Sequence, residues 1–263
     1  WEGHATTTVT DRKGFQTVYT FDVTGHMLRM QQFTSGAPWG LVTDYTYNAA
    51  GERASVTLPS SNPAAQDVDG LSLQYDAKGN LLQVQRFSRQ ADLVGVWSET
   101  TFTYEPQSNL LKTLTDPRGS VTTYTYDYEL GEPARGTLRR VTYPTVDGAT
   151  PQATFTYNSF GQVETATDPN GQVTQYAYDS ITGYLTQVIQ GAGTLEAATT
   201  QFTYDAVGNV TSVTDAEGRI TTFTYNLLHQ LVKAVSPAPF AFETHYTYDA
   251  NGNLVQTDRQ ATT

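Results

Sequence analysis

The sequence predicts an all-β fold, an antiparallel array of β-hairpin repeats, and three observations lead there. Composition is one: 44 Thr, 17 Tyr and 11 Phe in 263 residues supply side chains that suit a pleated, half-buried surface, while Lys (four) and Met (two) are scarce. Self-similarity is the second. TDRKGFQTVYTFD (10–22), TDPRGSVTTYTYD (115–127), TDPNGQVTQYAYD (167–179) and TDAEGRITTFTYN (214–226) are gap-free copies of one motif. Alternation is the third: in TTYTY (122–126), TQYAY (174–178) and TTFTY (221–225) the aromatics stand two apart, so each pair shares one face of a strand.

A second module follows the last aromatic, as in YNAAGERASV (47–56), YDAKGNLLQV (75–84), YNSFGQVETA (157–166), YDAVGNVTSV (204–213) and YDANGNLVQT (248–257). The aromatic before the turn serves as an anchor at Phe21, Tyr47, Tyr75, Tyr104, Tyr126, Tyr157, Tyr178, Tyr204, Tyr225 and Tyr248. A unit of this length is two short strands and two connections. In Tyr-Asp-x-x-Gly the Asp or Asn accepts hydrogen bonds from the backbone ahead and Gly takes the left-handed conformation, which predicts a hairpin tip with a bulge. Asn109 replaces Gly in a loop one residue longer, as at Gly183, and His229 replaces it at the short offset; Asn and His both visit left-handed backbone more readily than most residues. The other connection is expected to differ in kind: a tight D-P/A-x-G turn, or a variable segment such as 143–154, 189–200 or 236–244, so that variation gathers on one edge of the sheet. Apolar residues at +2 and +5 from the tip glycine, such as Leu81 and Val84 or Val210 and Val213, break strict alternation, which requires a bulge or partial cover of both faces.

Ten anchors imply about twenty strands, a ribbon roughly 100 Å wide at ~4.8 Å per strand. Open twisted sheets rarely exceed about ten strands without curling. The ribbon is therefore expected to coil and enclose space, with residues 1–263 forming a single array, a fragment of a longer protein.

The alternation of T-x-Y-x-Y-D-x-x-G-x-L-x-x-V with D-P-x-G resembles the YD repeats of RHS proteins, of the shell-forming subunits of insecticidal Tc toxin complexes, and of teneurins, over nearly all of residues 10–258. The resemblance implies a spiral ribbon forming part of a hollow β-shell that, in bacterial members, sequesters a cytotoxic C-terminal segment. It also implies a self-cleaving segment that closes the shell, whose aspartates match no position here, so no catalytic residue is carried over.

Formal charge is -11, with 26 acidic and 15 basic side chains, which opposes binding to a phosphate backbone; no nucleic-acid partner is expected. No run of 18 apolar residues could span a bilayer as a helix, and no membrane insertion is expected. The absence of Cys excludes disulfides and thiolate metal sites and leaves the compartment open.

Candidate chemistry is sparse. His4, His26, His229 and His245 are far apart and form no H-x-x-x-H pair, so they read as turn and surface residues. DANGN (249–253) sets Asp249, Asn251 and Asn253 at the first three ligand spacings of an EF-hand loop, but Leu254 stands where Gly is required and Gln260 where Glu is required. Turn chemistry accounts for the same residues, and for Asp67 and Asp69 in DVDG. There is no G-x-S-x-G and no H-E-x-x-H. No catalytic, cofactor-binding or metal residue is assigned, and no cofactor is expected. Trp39 in SGAPWG and Trp97 in LVGVWS, read as irregular stretches, are the best-placed aromatics for an exposed contact. The functional expectation is a non-enzymatic shell segment of a secreted or surface bacterial protein, with a toxin polypeptide cargo and the remaining shell as partners. The alternative is a cell-surface adhesion or carbohydrate-binding array with a glycan as partner, and an enzyme comes third.

Overall fold

The computed structural model describes residues 4–35, 37–58, 70–90, 93–133 and 135–260. Its contacts divide the chain into two units, Trp1–Tyr124 and Thr125–Thr263. In the first, β1 (Ala5–Thr10), β2 (Gln16–Phe21), β3 (Met27–Thr34), β4 (Ala37–Tyr47), β5 (Arg53–Thr57), β6 (Gly70–Tyr75), β7 (Leu81–Gln90), β8 (Leu93–Tyr104), β9 (Leu111–Thr115) and the start of β10 (Val121–Tyr126) follow in sequence order. Each pairs antiparallel with the next. In the second unit a 3-10 turn at Asp127–Leu130 precedes β11 (Leu138–Thr142), β12 (Gln152–Tyr157), β13 (Val163–Thr167), β14 (Val173–Tyr178), β15 (Leu185–Gln190), β16 (Ala198–Tyr204), β17 (Val210–Thr214), β18 (Ile220–Tyr225), β19 (Leu231–Val235), β20 (Glu243–Tyr248) and β21 (Leu254–Gln260). These too pair in order and antiparallel. The all-β hairpin array is therefore as expected.

The +2/+5 spacing has a definite cause. At nine of the ten tips, all but the one after Tyr126, the ladder slips by one residue at the anchor: Tyr204 faces Val210 and Thr203 faces Ser212, leaving Thr211 as the bulged residue. The slip brings Val213 opposite Phe202, so both apolar residues lie on the face of the aromatic pair. The same pairing sets Tyr178 and Tyr176 against Leu185 and Val188, and Tyr75 and Leu73 against Leu81 and Val84. Thr is left for the other face, where Thr46 with Ser55, Thr103 with Thr113 and Thr156 with Thr165 share cross-strand hydrogen bonds of 2.6–2.7 Å.

The two kinds of connection, expected to differ, share one turn. At Asp116, as at Asp205, the backbone N–H bonds to the carbonyl four residues on, the Gly N–H returns to the Asp carbonyl, and the side chain accepts from the N–H groups two and four residues ahead. The tight turns differ from the aromatic tips in the bulge, which is absent from the β9–β10, β13–β14 and β17–β18 registers. Asn109 (φ 58°), Gly183 (φ 74°) and His229 (φ 61°) are left-handed as expected. Two further expectations fail. Trp39 and Trp97 lie within strands β4 and β8, where the hairpins β3–β4 and β7–β8 are longer than the rest; their side chains, and Asp67 and Asp69, fall outside the described structure. Variation is also not confined to one edge, because the tip after Tyr126 is enlarged by the 3-10 turn.

Burial is shallow. Among the described residues only Val56, Tyr126, Val141 and Ala153 are buried apolar side chains. On β18 the aromatic face is half-buried while Ile220, Thr222 and Thr224 are exposed.

Candidate functional site

The sheet offers two faces and two edges, and chemistry concentrates along the edge formed by the aromatic tips. Six anchor hydroxyls act there. Tyr47, Tyr104, Tyr157, Tyr178, Tyr204 and Tyr248 each donate to the carbonyl of the first residue of the preceding strand, Met27, Leu81, Leu138, Val163, Leu185 and Leu231 respectively, at 2.8–3.0 Å. Each ring thus ties its own tip to the tip before it. Burial pushes the hydroxyl pKa of Tyr104, Tyr157, Tyr178 and Tyr204 upward, so these donors keep their protons. The signal for this clamp is in the sequence: nine of the ten anchors are Tyr, whereas the aromatic two residues earlier is often Phe. Phe21 is the exception.

Among the described residues Asp127 is the one fully buried side chain, at 1% exposure. Its Oδ1 accepts from the N–H of Tyr128 (2.8 Å) and Gly136 (3.2 Å), and its Oδ2 from the N–H of Arg135 (2.9 Å) and Thr137 (3.3 Å) and from the Thr137 hydroxyl (2.8 Å). Burial pushes the carboxyl up; the hydrogen bonds from Arg135, Thr137 and Tyr128 outweigh it and hold the pKa at about 2. A cleft of about 200 Å³ lies between this loop and the next tip, lined by Asp127, Glu132, Arg135, Arg139 and Tyr157 among others. Arg139 pairs with Glu132 and stacks its guanidinium 5.2 Å from the Tyr157 ring centre, and Arg135 donates to the Ser159 carbonyl at 3.1 Å. With five donors on one carboxylate, Asp127 organises a loop and is a poor base at neutral pH.

The remaining candidates are dispersed. His26 lies 3.1 Å from Asp22 and stacks on Tyr47 at 4.5 Å; His229 approaches the Asn209 amide at 3.2 Å; His245 approaches Glu243 at 2.9 Å; His4 is exposed. No three His, Asp or Glu side chains converge as a metal site among the described residues. In DANGN the Asp249 carboxylate accepts from the N–H groups of Asn251 and Asn253 and from the Asn253 amide, as turn chemistry predicts. No helix among the described residues is long and apolar enough to cross a membrane.

The edge is built from equivalent tips, and known proteins share the architecture. The chain resembles TcdB2-TccC3 without its hypervariable C-terminal region (TM-score 0.65, 18% identity) and TcdB2-TccC3-Cdc42 (0.60, 17%), over 97% of its own length in both cases. A Tc holotoxin pore of Photorhabdus luminescens matches over the same share at 0.59 and 18%. The chain spans about 15% of the length of each of these. No individually curated protein shows significant similarity. Residues 157–195 and 204–239 match the RHS Repeat family, in register with the tips at Asn158, Asp179, Asp205 and Asn226. Residues 157–195 and 204–239 are therefore RHS repeats, tips of the same chemistry recur along the rest of the described chain, and the fold is that of the Tc-complex structures.

Proposed function

We propose that this chain is a stretch of wall in a hollow RHS-repeat shell of a secreted or surface bacterial protein, and that the shell encloses and sequesters a toxic C-terminal polypeptide of the same parent. The observation that carries this is the extent of the likeness: hairpins follow one another through the described residues, and 97% of the chain matches part of a Tc complex. Within each unit the strands pair with their sequence neighbours, which leaves the sheet two faces, as a wall needs, one for the enclosed space and one for the outside. In this role the chain is non-enzymatic and holds no cofactor. Its partners are the cargo and the rest of the shell, and it works outside the cell that makes it. The glycan-binding alternative requires aromatic groups free to stack and bond, whereas six anchor hydroxyls are already donated to the backbone.

The test uses the full-length parent with its C-terminal segment. Protease protection of that segment should persist through Trp39→Ala and Trp97→Ala and vanish when several repeats are deleted. Equal digestion with and without the repeats, together with a cell-surface glycan that binds the chain and is lost on one Trp substitution, would replace the shell by adhesion.

A further inference from the structure

One feature of the aromatic-tip edge serves no folding purpose. In four consecutive tips of the second unit the residue two after the turn Asp or Asn is large, apolar and exposed: Phe160 (75%), Ile181 (91%), Val207 (62%) and Leu228 (75%). All four are in equivalent positions, their N–H groups donating to the turn Oδ1 at 2.9–3.1 Å. The turn does not demand this. On the opposite edge the equivalent residues of the same turn are Lys13, Arg118, Asn170 and Glu217.

Charge and spacing describe what the row would accept. No Lys or Arg stands between Arg140 and Arg219; of the eight acidic residues in that stretch Asp168, Asp215 and Glu217 belong to turns of the opposite edge, and Asp179 and Asp205 to tips of this one. Asp179 and Asp205, beside Ile181 and Val207, are held ionised by hydrogen bonds from Thr182 and Asn209 respectively. Clefts of about 280 and 530 Å³ open beside the Phe160–Ile181 and Val207–Leu227 pairs, and between those two tips the Tyr184 ring packs on Tyr204 at 4.9 Å and its hydroxyl approaches Gly208. Successive tips are two strands apart, about 9.6 Å, so four tips span roughly 29 Å. Polyproline II repeats its face every three residues, or ~9.3 Å, and covers ~28 Å in three turns. A helix with apolar residues every seventh position covers ~32 Å, and a β-strand with them every second only ~20 Å.

We propose that this edge docks an extended polypeptide in polyproline II conformation, with an apolar residue at every third position and basic residues between. The inference stands on the tips of the second unit alone and does not rest on the shell role. The test is fluorescence anisotropy on the full chain with a labelled peptide of repeated Leu-Pro-Lys, a shuffled peptide of the same composition, and a helical peptide with Leu at every seventh position. The repeated peptide should bind at least about tenfold more tightly than either control, and weaken with added salt. The combined variant Phe160→Ser, Ile181→Ser, Val207→Ser, Leu228→Ser should lose that binding with an unchanged circular dichroism spectrum, and each single change should lose part of it. Equal affinity for the shuffled peptide, tighter binding of the helical one, or full binding by the combined variant would overturn the proposal. So would a chain that dimerises through this edge in sedimentation and becomes monomeric in the variant.

Discussion

Replacing Asp127 by Asn changes one oxygen to an amide and removes a charge, which should matter far more here than at any other tip. With the amide nitrogen at the Oδ2 position, the N–H groups of Arg135 and Thr137 face a donor and lose their acceptor. Two part-buried N–H groups left unpaired cost at most about 2–6 kcal/mol. The lowered pKa gives a second measure: from an ordinary 3.8 to about 2, the ionised form is favoured in the folded state by about 2 kcal/mol. Asp205→Asn is the internal control. Asn158 and Asn226 perform the same turn with the same hydrogen bonds, and the Asn209 amide can rotate to offer its oxygen to the new amide. That change should stay within about 0.5 kcal/mol. Urea unfolding at neutral pH reads the totals, and amide exchange at Arg135, Gly136 and Thr137 reads the local effect. A depressed folded pKa means stability that is present above about pH 4 and lost as pH falls towards 2. The gap between wild type and Asp127→Asn should therefore narrow across that window. Equal shifts for the two variants, or a gap independent of pH, would refute the buried-cradle argument.

Tyr204→Phe should cost about 0.5–1.5 kcal/mol by freeing the Leu185 carbonyl, whereas Phe202→Tyr, which touches no such clamp, should not reproduce the loss in thermal melting. Gly218→Ala and Gly208→Ala both force a left-handed Cβ, worth ~1–2 kcal/mol. At Gly208 the new atom would also lie 2.6 Å from the Tyr184 hydroxyl, while Gly218 has open space, so Gly208→Ala should lower the melting temperature more. Val207→Thr, at an exposed tip position, should be close to neutral, and a loss matching that of Gly208→Val would contradict the tip geometry. Deleting residues 179–204 removes two strands and sets the Asp205 tip behind Tyr178; the shortened chain should keep its β spectrum, and precipitation or loss of that spectrum would refute repeat equivalence.

Much of the array was legible because turn chemistry and face alternation are local. Asp205 with Gly208 specifies its tip within five residues, and Asn109 and His229 were readable as left-handed substitutes from their offsets alone. The +2/+5 pattern announced a bulge but not its position, which depends on how Tyr204 meets Val210 across the strands. The Tyr clamps join residues 15–23 apart, a separation no local pattern encodes, although the preference for Tyr over Phe at the anchor was visible. Asp127 was hidden for a different reason. It occupies an ordinary tip position, and only the enlarged loop turns it inward; the 31 residues from Tyr126 to Tyr157, the longest interval between anchors, were the available sign.

The clamps also explain how so thin a sheet holds together. With four buried apolar side chains among the described residues, burial per repeat is modest, and cross-strand pairs add only ~0.2–1 kcal/mol each. A hairpin alone is marginal in water. A tyrosine that bonds to the preceding strand spends its hydroxyl on a neighbour, so a repeat gains from the clamp only when that neighbour is folded. Stability then accrues at the joints between repeats, as in other repeat proteins, and the half-buried aromatic face is what each repeat lends to the next. Such an arrangement frees the Thr face from packing duty altogether. That face can vary in length and area with the number of repeats while the joints stay the same, which is the property required of a sheet that is extended repeat by repeat.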